Sequence, residues 1–252
     1  MIHIQTPLAL NKIKKLRYDL KYVKSGQIIS EILCGSLIKI EAKGVENIPK
    51  SGPCIIIPYH YPAQLDPMIL ISIINRKLFF AASVEGFISI PFLDSFWYKM
   101  GCLPIKRDDS EFNKRINGSV PSKKIDNYNS SNLDSIKKML THLKYGDPIV
   151  IFPEGDAKIN ATYDRPNNEK FLEPKEGFVS IAFLAKRKFN LDVPIIPVGL
   201  KYNGRLMKRV VIKIGSPHYL DNSLQKMKKK ELKNTIDFLA KKIFDDVKML
   251  SS

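Results

Sequence analysis

Cysteine is scarce in this sequence and long apolar runs are missing. The first shortage bears on the redox compartment of the protein, and the second on how it can associate with a membrane. Its three cysteines, Cys34, Cys54 and Cys102, are widely spaced and form neither a CxxC pair nor an even set for disulfides. This usage predicts a reducing compartment. No stretch reaches the roughly 18–20 uninterrupted apolar residues that a spanning helix needs, and the first residues carry no apolar run of the signal-peptide type. Any association with a membrane is therefore predicted to be peripheral.

Motifs of several large enzyme classes are also absent. The sequence contains no GxSxG nucleophile elbow, no GxxxxGK phosphate loop and no HExxH or Cys/His metal spacing. Apart from His60, the histidines His3, His142 and His218 are scattered along the chain. We therefore expect neither a metal nor a cofactor, and the missing phosphate loop argues against an ATP-dependent enzyme.

Acidic residues are in the minority. There are 41 Lys and Arg residues against 25 Asp and Glu residues, which gives a formal net charge of +16. Such an excess attracts polyanions, whether nucleic acid, an anionic bilayer surface, or phosphorylated and CoA-linked small molecules. The two terminal segments are rich in lysine, and no nucleic-acid-binding motif is present. This distribution disfavours nucleic acid as a partner and favours an anionic membrane surface.

The length of 252 residues, with 44% hydrophobic residues, predicts one large domain with terminal extensions. Residues 1–37 and 221–252 each carry apolar residues at helical spacing among many lysines, which is typical of a basic amphipathic helix. Such a helix either covers the core with its apolar side or docks on anionic lipid. The domain itself is then predicted to span residues 38–220.

Strand and helix patterns alternate through this domain. The predicted strands are 38–42, 54–58, 78–82, 102–105, 148–152, 193–200 and 209–215, and the predicted helices are 66–74, 91–101, 133–146 and 176–188. Two polar stretches, 108–132 and 156–170, are predicted to be loops. The two prolines within 193–200 predict an edge or bulged strand. The alternation predicts an α/β fold with a mixed, largely parallel central sheet that is flanked by helices.

A histidine and an aspartate follow the apolar run 54–58, in the stretch PYHYPAQLDP. His60 comes at the carboxyl end of the predicted strand, where open α/β sheets place their sites, and Asp66 starts the next predicted helix. A carboxylate there can orient the imidazole and leave its other nitrogen free as a general base. The plainer alternative is a hydrogen-bonded loop histidine and an aspartate that only caps the helix.

Three further stretches carry polar residues at strand ends. In GCLPIKRDDS, a short strand is followed by Lys106 and Arg107, and arginine suits phosphate oxygens. In IVIFPEGDAK, a buried strand is followed by Glu154 and Gly155, which can hold an acceptor hydroxyl and allow close backbone approach. The third stretch is VPIIPVGLKY, the predicted strand that contains two prolines. Taken singly, each has an ordinary structural explanation.

In their order and spacing, the four stretches together resemble the glycerol-3-phosphate and lysophosphatidate acyltransferase family. The family's four blocks resemble HYPAQLD (60–66), GCLPIKR (101–107), FPEG (152–155) and VPIIPVGL (193–200), and the resemblance covers roughly residues 40–216. Five residues separate His60 from Asp66, whereas the commonest family pattern has four; a branch that includes fungal glycerol-3-phosphate acyltransferases has five. Counting the commoner spacing back from Asp66 instead reaches Tyr61, which is the alternative base.

The resemblance implies a glycerolphosphate-acyltransferase-like fold, with residues 38–220 as the acyltransferase domain. It implies transfer of a fatty acyl group from acyl-CoA or acyl carrier protein to glycerol 3-phosphate or a lysophospholipid. His60 would deprotonate the hydroxyl and Asp66 would orient the imidazole. Arg107, with Lys106 nearby, would bind the acceptor phosphate, and Pro153, Glu154 and Gly155 would line the acceptor pocket.

No serine or cysteine nucleophile is needed in this scheme, which agrees with the missing GxSxG motif. We expect such an enzyme to be cytoplasmic and peripheral on the inner face of a membrane. The competing interpretation is a catalytically decayed lipid-binding protein with the same fold, which would bind anionic vesicles and release no CoA.

Overall fold

The structure is a computed structural model that describes residues 38–59, 65–83, 101–105, 132–155, 171, 173–203 and 209–252. Among these residues, seven strands form one sheet. The strands are β1 (Lys39–Lys43), β2 (Cys54–Pro58), β3 (Phe79–Ser83), β4 (Cys102–Ile105), β5 (Pro148–Ile151), β6 (Ile195–Asn203) and β7 (Arg209–Ile214). The helices are α1 (Leu65–Ile73), α2 (Asn132–Lys144), α3 (Gly177–Phe189) and α4 (Lys229–Ser251), with short 3-10 turns at Val45–Asn47 and Asn222–Lys226.

The sheet has the strand order β1-β7-β6-β2-β5-β3-β4. Strands β6, β2, β5, β3 and β4 run parallel to one another, whereas β7 is antiparallel to β6 and pairs in parallel with β1. This arrangement confirms the predicted α/β fold with a mixed, largely parallel sheet. Because the five parallel strands share one direction, they all end at one edge of the sheet, which we call the carboxyl edge.

Helices cover both faces of the sheet, and β2 shows why its sequence is apolar at every position. Ile55 and Ile57 pack with residues of α2, α3 and α4 on one face. Cys54 and Ile56 pack with residues of α1 on the other face. Successive side chains of a strand point to opposite faces, so a strand covered on both sides needs apolar residues throughout.

The proline-containing strand β6 lies inside the sheet, between β7 and β2, and the prediction of an edge or bulged strand was wrong. Pro194 precedes the strand, so Pro197 is the proline within it. Pro194 accepts a hydrogen bond from Ile55 of β2, and Val198 accepts one from Tyr59 just beyond β2, whereas the carbonyl of Pro197 accepts from Gly215 on the opposite side. Since β7 has ended at Ile214, the missing amide of Pro197 faces the segment beyond β7 and removes no bond between β6 and β2.

The C-terminal helix α4 packs on the sheet with its apolar side. Its buried residues are Ile236, Ala240, Ile243, Phe244 and Val247. A side chain on Gly199 of β6 would meet the backbone of α4, because an added Cβ would lie 2.3 Å from the carbonyl carbon of Leu250. The end of the helix is also held by Lys201, whose Nζ donates to the carbonyl of Ser252 at 2.8 Å. The buried stripe of α4 therefore covers the protein's own core.

Most predicted elements occur with ends displaced by one to three residues. The strand predicted at 78–82 occupies Phe79–Ser83, and the helix predicted at 133–146 occupies Asn132–Lys144 and is followed by Gly146 with a φ of 82°. The helix predicted at 91–101 (except Gly101), the N-terminal segment 1–37 and nearly all of both polar stretches lie outside the described residues. The division of the chain at residues 37 and 220 stays a prediction. In the described parts of the chain, no helix has the length and apolar character to cross a membrane.

Candidate functional site at the carboxyl edge

The end of β2 is fixed by backbone pairing and by aromatic packing. Beyond the last residue of the strand, the amide of Tyr59 donates to the carbonyl of Val198 in β6 at 3.0 Å. The buried Tyr59 ring packs against Phe171, with 4.7 Å between the ring centroids. Phe171 in turn meets Phe244 of α4 edge to face, at 6.3 Å. The residue that precedes His60 is thus held by a backbone bond to β6 and by the packing of its ring on Phe171.

Asp66 is a fully buried carboxylate in the first turn of α1. The helix begins at Leu65, one residue earlier than predicted, so Asp66 lies inside the first turn and does not cap it. An anion is favoured there because the helix dipole is positive at its N-terminal end, and Pro67 is suited to the first turn. Burying a carboxylate is costly unless donors satisfy it, so a fully buried Asp66 needs hydrogen-bond donors around it.

The hydroxyl of Tyr202 donates a hydrogen bond to Oδ1 of Asp66. Tyr202 belongs to β6, which continues past the predicted end at residue 200 and pairs there with Val210 of β7. Alternate residues of β6 share the face that α1 covers, and Ile196, Val198 and Leu200 are buried there. Tyr202 continues this alternation, which is why it meets Asp66.

Sequence reasoning missed Tyr202. The period-2 pattern of Ile196, Val198 and Leu200 extends to it, and this was the signal that could have placed it on the face of α1. The identity of its partner depended on tertiary structure, because 136 positions separate Tyr202 from Asp66.

The turn after β5 lies beside the end of β2. Ile56 pairs with Val150 in parallel register, so the segments that follow β2 and β5 leave the sheet as neighbours. The amide of Gly155 donates to the carbonyl of Phe152 at 3.1 Å and closes the turn. The φ of 68° at Gly155 lies in the left-handed region, which explains the glycine.

Within this turn, Pro153 and Glu154 are buried, and Glu154 is only 6% exposed. The amide of Lys175 donates to the carbonyl of Pro153 at 2.8 Å and ties the turn to the start of α3. The stem of Lys175 also lies over Gly155, because an added Cβ there would be 3.5 Å from its Cγ. The turn therefore carries the Glu154 carboxylate, and the Lys175 side chain lies next to it.

The structure brings four of the predicted site residues to the carboxyl edge, namely Asp66, Pro153, Glu154 and Gly155. The last residue of β4, Ile105, lies at the same edge, and β3 separates β4 from β5. The basic pair that follows it, Lys106 and Arg107, lies outside the described residues, as do His60 and the alternative Tyr61. The roles assigned to all of these residues stay predictions.

Two cysteines are unsuited to act as nucleophiles. Burial raises the pKa of the Cys54 thiol to about 11, although the nearby Arg76 opposes this rise. Burial likewise raises the pKa of the Cys102 thiol to about 12. Both thiols are therefore protonated near neutral pH, and a thiol nucleophile at either position is disfavoured.

Two described histidines have structural partners away from the carboxyl edge. His142 stacks on Phe79 and its Nδ1 lies 3.0 Å from Oδ2 of Asp147, just before β5 begins. His218 pairs with Ile195, the first residue of β6, and its Nε2 lies 2.7 Å from Oδ2 of Asp246. In the described ranges, no group of three or more His, Cys, Asp or Glu residues could hold a metal ion.

This chain is similar in sequence to known acyltransferases. A family model described as Acyltransferase matches residues 39–201. The chloroplastic 1-acyl-sn-glycerol-3-phosphate acyltransferase LPAT1 of Arabidopsis thaliana is 26% identical over 169 residues, which cover 67% of this chain and 38% of that protein. The chain thus spans well under half the length of that curated relative.

A solved structure shows the same fold. The crystal structure of the 1-acyl-sn-glycerophosphate (LPA) acyltransferase PlsC from Thermotoga maritima superposes with a TM-score of 0.53 at 18% sequence identity. The superposition covers 93% of this chain and 83% of that one. At this identity the likeness concerns the fold alone.

Proposed function

The chain belongs to the acyltransferase family, and on that premise we propose that it transfers a fatty acyl group from a thioester to a hydroxyl of glycerol 3-phosphate or a lysophospholipid, in phospholipid biosynthesis. The matched residues 39–201 contain β2, β3, β4 and β5, and β6 as far as Lys201. The observation that carries the proposal is the fully buried Asp66, held by Tyr202 at the edge where the Glu154 turn also lies.

In the proposed reaction, His60 accepts the proton of the acceptor hydroxyl while Asp66 orients the imidazole and stabilises its charged form. The hydroxyl oxygen attacks the thioester carbonyl and gives a tetrahedral oxyanion. When this intermediate collapses, the carbon–sulfur bond breaks, and the departing thiolate takes the proton from the imidazolium. The fixed position of Asp66 supports this scheme, since an orienting carboxylate has to be rigid.

Binding of the acceptor is assigned to two places. Arg107, assisted by Lys106, binds the phosphate through its planar guanidinium. Pro153, Glu154 and Gly155 line the acceptor pocket, where the Glu154 carboxylate can accept a hydrogen bond from a hydroxyl group. The closed turn at Gly155 supports this assignment, because it holds Glu154 at the carboxyl edge.

We further propose that the protein works in the cytoplasm, on the inner face of a membrane with an anionic surface. Two apolar side chains on α4, Phe238 and Met249, are 63% and 66% exposed. They lie about three helical turns apart, hence on the same outer face of the helix. Lys242 is exposed beside Phe238, as is Lys241, which pairs with Asp237 at 3.6 Å, and the exposed Asp245 lies between Phe238 and Met249. Apolar and basic side chains together favour contact with anionic lipid.

Acyl carrier protein is an alternative acyl donor to long-chain acyl-CoA.

The test is CoA release from a long-chain acyl-CoA by the purified protein, with glycerol 3-phosphate or lysophosphatidate as acceptor and anionic vesicles present. We expect His60→Ala to lower the rate by about 10²–10⁴-fold, the usual contribution of a general base. His218→Ala is the matched control, because His218 pairs with the first residue of β6, away from the carboxyl edge, and it should leave the rate unchanged.

Two results would contradict parts of the proposal. Full activity of His60→Ala, together with loss in Tyr61→Phe, would assign the base to Tyr61. Binding to anionic vesicles without CoA release from any acceptor would instead identify a catalytically decayed lipid-binding protein.

A further inference from the structure

The contact between Tyr202 and Asp66 joins the far end of β6 to the first turn of α1. We infer that Tyr202 is a positioning residue for the reaction: its hydroxyl sets the orientation of the Asp66 carboxylate and draws off part of its negative charge. This inference rests on the proposed function, in which Asp66 orients a catalytic imidazole.

The direction of the carboxylate follows from the hydrogen bond. Asp66 is fully buried, and its Oδ1 accepts the Tyr202 hydroxyl hydrogen. Because a carboxylate is planar, a donor held on one oxygen also limits where the other oxygen points. Groups that orient a working side chain in this way typically contribute about 10–100-fold to activity, as seen for the outer partners of metal ligands.

Tyr202 is itself held rigidly. It pairs with Val210 across the antiparallel ladder between β6 and β7. Its ring is half-buried and packs against the apolar clusters on both faces of the sheet. The preceding residue of the strand, Lys201, binds the carbonyl of Ser252 at the C-terminal end of α4. Because Tyr202 is held in this way, its hydroxyl keeps a fixed position, and the hydrogen bond restricts the rotation of the Asp66 carboxylate.

The hydrogen bond also changes the charge that Asp66 presents. A hydroxyl donor withdraws negative charge from the carboxylate, so its removal leaves more charge to stabilise a protonated imidazole. The histidine would then stay protonated, and inactive as a base, up to a higher pH. A residue that only ties β6 to α1 would not move the pH dependence in this way.

The experiment compares the wild type with Tyr202→Phe, which keeps the ring and removes the hydroxyl. We expect kcat to fall by about 10–100-fold with a change of less than about threefold in the KM of the acceptor. The acidic limb of the kcat/KM profile should move to higher pH. Tyr219→Phe is the matched control, because Tyr219 is 63% exposed, and it should leave both quantities unchanged.

A double-mutant cycle separates an effect that acts through Asp66 from a general loss of structure. In the Asp66→Asn background, Tyr202→Phe should lower kcat by no more than about twofold, because residues that act as a unit are not additive. Equal losses in both backgrounds would overturn the inference. So would wild-type kcat and an unchanged pH profile in Tyr202→Phe.

A second replacement covers the case in which Tyr202→Phe fails to fold. Tyr202 replaced by a singly fluorinated tyrosine keeps the shape and is a stronger donor, so the acidic limb should move to lower pH. An unchanged limb would overturn the inference. A wild type inactive with every acceptor would overturn the proposed function and this inference with it, whereas active wild type with an unaffected Tyr202→Phe overturns the inference alone.

Discussion

Arg76 is predicted to be a main stabilising residue at the edge of the sheet opposite the candidate site. Its Nη1 donates to the carbonyl of Pro49, and its Nη2 donates to the carbonyls of Gly52 and Gly146, each at 2.7 Å. Pro49 and Gly52 precede β2, and Gly146 forms the turn between α2 and β5. One guanidinium therefore joins the starts of two neighbouring central strands.

The size of the effect follows from these three bonds. A hydrogen bond from a charged donor contributes roughly 1.5–3 kcal/mol, but neighbouring bonds are not additive and water replaces part of what is lost at a half-buried site. We expect Arg76→Met to lower the free energy of unfolding by about 3–4 kcal/mol. Arg76→Lys should cost about 2 kcal/mol, because a single ammonium cannot reach all three carbonyls as the planar guanidinium does.

Urea unfolding followed by circular dichroism measures these differences. For a chain of this size, 1 kcal/mol corresponds to a shift of about 2–4 °C in Tm, so thermal scans give a second reading. Arg187→Met is the matched control, since Arg187 is exposed on α3, and it should change stability by less than about 0.5 kcal/mol. A loss below about 1 kcal/mol in Arg76→Met would refute the reasoning.

Two further predictions concern packing and thiol chemistry. Gly199→Ala should destabilise the protein by about 1–3 kcal/mol in urea unfolding, because the new Cβ would overlap the backbone at Leu250. Gly177→Ala, with no neighbour within 4 Å of an added Cβ, should be neutral, and equal effects of the two would contradict the packing argument. Cys54 and Cys102, whose pKa values burial raises to about 11 and about 12, should resist alkylation in the native protein at neutral pH. Mass mapping after unfolding checks this, and rapid native labelling of either would show that the thiol is accessible.

The strands could be predicted well because their burial is visible in local composition. The run Cys54–Pro58 is apolar throughout because both of its faces are covered, and the glycine and prolines around it indicate a short strand. The place of β6 in the sheet could not be predicted in the same way. Whether Pro197 interrupts a ladder depends on where β7 ends, and that is set by a segment further along the chain.

In the candidate site, too, some residues could be placed from local sequence and one depended on tertiary structure. The places of Asp66 and the Glu154 turn were predictable because Asp66 starts the helix that follows an apolar strand and the turn comes directly after another, and the carboxyl ends of parallel strands meet at one edge. Tyr202 was not, because a strand pattern tells which face a residue occupies but not which helix covers that face. The contact with Asp66 exists because α1 and the end of β6 lie on the same face of the sheet.

Local physical chemistry in the sequence determined the elements of this protein and the edge at which its chemistry is expected. Periodicity and turn residues act over a few positions, so they report which segments are strands and helices and where polar residues follow them. Tertiary structure alone decided the strand order, the covering of the sheet by α4 and the partner of Asp66. These depend on contacts between residues far apart in the chain, which local patterns do not encode.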